Sequence, residues 1–180
     1  MAVIIPNKLI YLAHPRTASK ATSVTLGQID SAFTEPRHHR HLYNLEYERQ
    51  GELVVTTIRH HGDALVSWWL HHGQRNGYGE TLSEFTRFLL EFPHEGFWLV
   101  PTPGRLWDLH LPWCNCFMRF ESLQEDLNWV LERVGLEPRK LLRVNQTRGK
   151  REWGSYYNAE RQRIVEDTFG GEMQELGYQF

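Results

Sequence analysis

The sequence predicts an α/β fold: a mainly parallel sheet flanked by helices in three layers. Three observations carry that expectation. Short apolar runs at Leu9–Ala13, Leu53–Ile58 and Asn115–Phe120 alternate with stretches of helical character. The first two runs each lead into a polar, basic segment, His14–Lys20 and Arg59–Asp63, and ligands of such sheets sit beyond the carboxyl ends of the strands. Finally, the 180 residues amount to about one domain, no linker-like tract or repeat divides them, and residues 1–180 are taken as a single unit.

Composition narrows the partners. Twenty Lys and Arg stand against 22 Asp and Glu, for a formal charge of −2, so no global field favours nucleic acid. The basic residues are nevertheless grouped at Arg37–Arg40, Arg139–Arg143 and Arg148–Arg151, which suits a local anionic ligand better than a polyanion. No run reaches the ~18 apolar residues of a membrane span, and the N-terminal residues, broken by Pro6 and Asn7, do not read as a leader. Cys114 and Cys116, one residue apart, share a strand face and are poorly placed to pair. These features lead to the expectation of a cytoplasmic protein without a membrane span.

Taken in order, Leu9–Ala13 reads as a buried strand and Ser19–Ala32 as a helix. Thr34–Leu45 is polar and histidine-rich. Leu53–Ile58 is β-branched and apolar, a second strand. Asp63 then caps a helix to about His72, in which the neighbours Trp68 and Trp69 cannot both face the core. Thr81-Leu82-Ser83-Glu84 is a capping box for a helix to about Glu91. Pro93–Pro112 carries Trp98, Trp107 and His110, with Trp113 just beyond, and reads as an irregular insertion that could wall a pocket. After the third strand, Ser122–Glu125 is a second capping box, and its helix stops at Gly135. Asn158 caps a last helix, interrupted at Gly170-Gly171.

The segment from Lys8 to Leu26 organises the rest. A strand that enters a tight turn and opens a helix leaves backbone N–H groups aimed at one spot, and the helix dipole adds partial positive charge there. Arg16 and Lys20 add two full charges. This is a phosphate cradle, although the glycines of Gly-x-x-x-x-Gly-Lys-Ser/Thr are missing; the bland alternative is a polar turn with surface cations.

Pro15-Arg16-Thr17-Ala18-Ser19-Lys20 resembles the 5′-phosphosulfate loop of sulfotransferases that use 3′-phosphoadenosine 5′-phosphosulfate (PAPS). Three further segments agree in order. Arg59 and Ser67, in Arg-x7-Ser, resemble the family's 3′-phosphate motif; FMRFESLQEDLNWVLERVGL resembles its strand–Glu–helix segment; and SYYNAERQRIVEDTFGGEMQELGYQF resembles its C-terminal helix and close. The likeness spans most of the chain and is to the compact bacterial and phage type. It implies the P-loop-like nucleotide-binding fold of that family.

The resemblance also implies roles. Arg16 matches the basic residue at the bridging oxygen of PAPS, acting by charge and hydrogen bonding. Thr17, Ala18, Ser19, Lys20 and Ala21 supply the cradle, and Ala18, in place of the usual glycine, fits only if its φ is negative. Arg59 and Ser67 hold the 3′-phosphate, joined by the late basic loop with Arg148, Lys150 and Arg151. The base that deprotonates the acceptor falls in His38-His39-Arg40-His41, with His39 favoured, His41 and His38 behind it, and Glu35 as a carboxylate alternative. Phe120 either touches the adenine or is an ordinary core aromatic. The expected reaction moves a sulfonate group from PAPS to a hydroxyl, less readily an amine, of a small-molecule or glycan acceptor, leaving adenosine 3′,5′-bisphosphate. No metal is expected, since Cys-x-Cys without a second close pair is a poor zinc pattern, and His60, His61, His71, His72 and His110 read as helix-surface or pocket-rim residues. The alternatives are a Mg²⁺-dependent phosphoryl transferase using Lys20 and Thr22, and an inactive sulfotransferase-like binding module.

Overall fold

The structure, a computed structural model, describes residues 2–35, 50–91, 113–144 and 150–180. Its contacts group the chain into two compact units: Met1–Arg59 with Trp107–Gln146, and His60–Leu106 with Thr147–Phe180.

The first unit is built on a five-stranded sheet, β1 (Ala2–Ile5), β2 (Leu9–Leu12), β3 (Phe33–Glu35), β4 (Leu53–Ile58) and β5 (Cys116–Arg119), in the order β3-β1-β2-β4-β5. The sheet is mixed, which corrects the expectation of a mainly parallel one: β2, β4 and β5 are parallel neighbours, whereas β1 runs antiparallel to both β2 and β3. The cause is local. Pro6 and Asn7, which interrupt the apolar N-terminus in the sequence, make a reverse turn. Lys8 N–H donates to Ile5 O at 3.1 Å, and Asn7 has φ 61°. Proline second and a left-handed asparagine third suit such a turn.

Side chains alternate strictly between the two sheet faces. Val3, Ile5, Leu9, Tyr11, Val55 and Met118 join Leu26 of α1 (Ser19–Leu26) and Leu123, Leu127, Val130 and Leu131 of α4 (Leu123–Arg133) in one apolar cluster. Ala2, Ile4, Ile10, Leu12 and Val54 form the cluster on the other face. Burial on both faces explains why the strands read as continuous apolar runs. Cys114 packs on this second cluster and Cys116 on the first, so the two cysteines do not share a face. β5 begins only at Cys116, because Asn115 is bent against β4, its N–H donating to Val54 O and its Oδ1 accepting from Val54 N–H.

Helix α1 is shorter than expected, ending in a turn after Leu26. Ser122 is the N-cap residue of α4, but its side chain makes no capping hydrogen bond. Its hydroxyl donates to Asp126, whose carboxylate also accepts the Arg119 N–H at 2.6 Å, fastening the start of the helix to the end of β5.

The second unit contains α2 (His61–His72), α3 (Leu82–Glu91) and α5 (Ala159–Glu175). Every residue of α2 from His61 to Trp69 is buried, so Trp68 and Trp69 are both inside, as are His60 and His61. Trp69 packs on Phe85 and donates its indole N–H to Gly79 O; His61 Nε2 lies 3.0 Å from Glu172. His60, not Asp63, is the N-cap of α2: its Nδ1 accepts from Gly62 N–H, its ring stacks on Trp153, and Phe180 meets it edge-on. Gly62 leaves no room for a side chain, since a Cβ there would lie 2.9 Å from Trp153. Asp63, in the first turn, accepts a hydrogen bond from the Lys150 ammonium. The Thr81 cap of α3 and the Asn158 cap of α5 form as expected, at 3.2 and 3.0 Å. Helix α5 runs through Gly170 and Gly171 without a break.

No helix among the described residues is long and apolar enough to cross a membrane.

Candidate anion-binding site

Because β2, β4 and β5 are parallel and adjacent, with Leu12 opposite Thr56 and Ile58 opposite Arg119, their carboxyl ends open on one edge of the sheet. Three segments leave that edge: the loop His14–Ala18, Arg59, and the turn Phe120–Ser122.

The loop is wound tightly. Thr17, nearly fully buried, donates its hydroxyl to His14 O at 2.7 Å. Arg16 and Ala18 both lie in the left-handed region, with φ of 64° and 58°. The structure therefore overturns the requirement of a negative φ at Ala18: the residue adopts the conformation that the family's glycine would allow and carries the Cβ penalty for it. Ala18→Gly is expected to raise stability by about 1 kcal/mol, a gain of roughly 2–4 °C in a thermal melt; an unchanged or lower midpoint would contradict this account of the loop.

Helix α1 starts directly after Ala18. Ala18 offers no side-chain cap, and the first turn has no acidic residue, so its N–H groups and dipole keep their positive character. Thr22 closes the turn on Ala18 O through its N–H (3.0 Å) and hydroxyl (3.3 Å).

Arg59 reaches into this loop. Its Nη1 donates to Arg16 O at 2.5 Å, and its guanidinium lies 3.9 Å from the centroid of the Phe120 ring. The residue is 5% exposed. Burial first, and the Arg59 charge second, push the Arg16 guanidinium down to about 10. It stays cationic at neutral pH, in surroundings that penalise the cation and that an anion would relieve. Beneath the loop, the Tyr11 hydroxyl is 3.0 Å from Thr57 Oγ1, and Thr56 Oγ1 donates to Leu12 O at 2.8 Å. Burial pushes the Tyr11 phenol up to about 12, against the opposing effect of hydrogen bonds to Thr57 and Thr22, so it remains a neutral hydroxyl.

The structure thus brings Arg16, Thr17, Ala18, Ser19, Ala21 and Arg59 to one place, while the Lys20 side chain is exposed. Arg59, expected at the far phosphate of the nucleotide, touches the backbone of the near loop. Ser67 is buried in α2, Lys150 is paired with Asp63, and the Arg151 guanidinium lies over the Tyr156 ring; all belong to the second unit. Arg148, His38, His39, Arg40 and His41 lie outside the described residues, as does the Pro93–Pro112 segment. Glu35 ends β3. Among the described residues no group of three or more His, Cys, Asp and Glu is placed to hold a metal ion.

Two supports escaped the sequence reading. Phe120 serves as the platform for Arg59, and Tyr11, Thr57 and Thr22 form a hydroxyl group under the loop. Both depend on strand order and register, which single-sequence patterns do not carry. The chain matches no protein-family model, curated protein or solved structure.

Proposed function

We propose that the loop at Arg16 binds a phosphate group of PAPS and that the protein is a sulfotransferase with a three-layer, P-loop-like fold, acting in the cytoplasm on a small-molecule or glycan hydroxyl. The observation that carries this reading is the reach of Arg59 to the Arg16 carbonyl, which puts two arginines at a left-handed turn opening a helix that has no acid in its first turn.

Such a turn suits sulfonate transfer. An acceptor oxygen attacks sulfur, the bond from sulfur to the phosphate oxygen breaks, and the electron pair leaves on adenosine 3′,5′-bisphosphate. By analogy with phosphoryl transfer the transition state is loose, so negative charge grows on the departing oxygen. Donors fixed beforehand at that oxygen lower the barrier without reorganising during the step. Arg16 and the N–H groups of the first turn of α1 take this part. The acceptor's proton passes to His39 or His41.

Calorimetric titration of the intact protein with adenosine 3′,5′-bisphosphate is the direct test. Binding that is independent of Mg²⁺ is expected, and Arg16→Ala should weaken it by about 10- to 100-fold, the range for a hydrogen bond to a charged group. No binding in the intact protein would overturn the proposal. Mg²⁺-dependent binding of ATP alone would favour phosphoryl transfer instead. Transfer of labelled sulfonate from PAPS to an acceptor panel then separates an enzyme from a binding module.

A further inference from the structure

We infer that Phe120 is a positioning residue of the anion site: its ring face holds the Arg59 guanidinium in the orientation that secures the left-handed turn at Arg16. The inference rests on the anion-site reading above and gives Phe120 a task distinct from stacking on a base or filling the core.

Three observations support it. Phe120 is only half-buried, and its ring face lies 3.9 Å from the Arg59 guanidinium. Asp126 accepts the Arg119 N–H at 2.6 Å and the Ser122 hydroxyl at 3.1 Å, holding the chain just before and just after Phe120. Ile58 and Arg119 are register partners on neighbouring parallel strands, so the residues that follow them, Arg59 and Phe120, leave the sheet side by side.

The physical need is plain. A free arginine side chain has many rotamers, and confining one costs entropy. A guanidinium stacked on an aromatic face at 3.9 Å has that cost offset by the attraction between the cation and the ring. Once held there, Nη1 meets Arg16 O and pins a residue whose φ of 64° an unsupported non-glycine chain disfavours. The line of support runs from Asp126 through the 120–122 turn, the Phe120 ring and Arg59 to the loop backbone.

The test compares Phe120→Leu, which keeps apolar bulk and loses the ring face, with Phe120→Tyr, which keeps both. Side-chain NMR of the Arg59 guanidinium, read without ligand, should show restricted rotation and slow proton exchange in the wild type and in Phe120→Tyr. Both signatures should be lost in Phe120→Leu. In parallel, Phe120→Leu should bind adenosine 3′,5′-bisphosphate about 5- to 30-fold more weakly, with Phe120→Tyr within about twofold of wild type. Phe120→Met replaces the leucine variant if that one does not fold. An Arg59 that stays restricted in the leucine or methionine variant overturns the inference, as does a tyrosine variant that behaves like leucine. A wild type that shows the guanidinium signature but binds no nucleotide upholds the positioning role and removes the PAPS reading, so the two fail separately.

Discussion

Arg59→Ala is expected to reduce affinity for adenosine 3′,5′-bisphosphate by at least about 100-fold, the largest binding effect of any single change in the first unit. Three losses coincide. The site loses a cation that is 5% exposed and so little screened by solvent. Arg16 O loses its 2.5 Å donor, which frees a turn whose geometry is otherwise disfavoured. The Phe120 ring loses its guanidinium. One effect opposes these: without its like-charged neighbour, Arg16 is less penalised as a cation. That relief is the smaller, because burial is the leading cause of the Arg16 shift and remains in the variant. Arg59→Lys separates the causes. A lysine restores charge but not the planar fork, so affinity should recover only partly. Calorimetry on protein shown to be folded by circular dichroism reads the result, and wild-type affinity in Arg59→Ala would remove this residue from the site.

Asp63→Ala is expected to cost about 3 kcal/mol of stability, a fall of roughly 6–12 °C in the thermal midpoint. Asp63 is the carboxylate facing the Lys150 ammonium, and the two side chains are 8% and 17% exposed. Removing one member of a buried pair leaves the other charge poorly solvated, which costs more than the pair itself contributes. Asp63 also stands in the first turn of α2, where a negative charge complements the helix dipole. The double variant Asp63→Ala/Lys150→Met should recover much of the loss, since the desolvated ammonium is then removed together with its carboxylate. Equal melting of Asp63→Ala and wild type would show the pair to be energetically idle.

The cradle was legible in the sequence because its signals are local. An apolar run, a basic turn of small residues and a helix follow one another between Leu9 and Leu26, and the structure keeps that order. The strand at Leu53–Ile58 and the arginine after it were legible for the same reason. β1 was missed because Pro6 and Asn7 looked like an interruption, whereas they reverse the chain and let Ala2–Ile5 pair with Leu9–Leu12. β3 has only three residues, too few for periodicity to register, and its pairing with β1 defines it. Glycine and helix dipeptides misled in the other direction: Gly170 and Gly171 remain helical in α5 because a 17-residue helix absorbs their weak propensity. Trp68 and Trp69 are both buried because α2 is buried on every face from His61 to Trp69, a tertiary circumstance that a one-faced helix pattern does not express.

The order of the strands along the chain has a consequence for how binding competence arises during synthesis. Residues 2–35 hold three of the five strands, the 14–18 loop and α1; β1 and β2 pair as a local hairpin, and β1 pairs with β3 within the same segment. Short-range pairings close quickly, whereas β4 and β5 must be recruited from later parts of the chain. A nascent chain therefore acquires the outline of the cradle well before the side chain that braces it and the ring that steadies that side chain. Truncated products ending before Arg59 would carry the turn without its grip, so ligand affinity should appear late in elongation, after the hairpin end of the sheet is already in place.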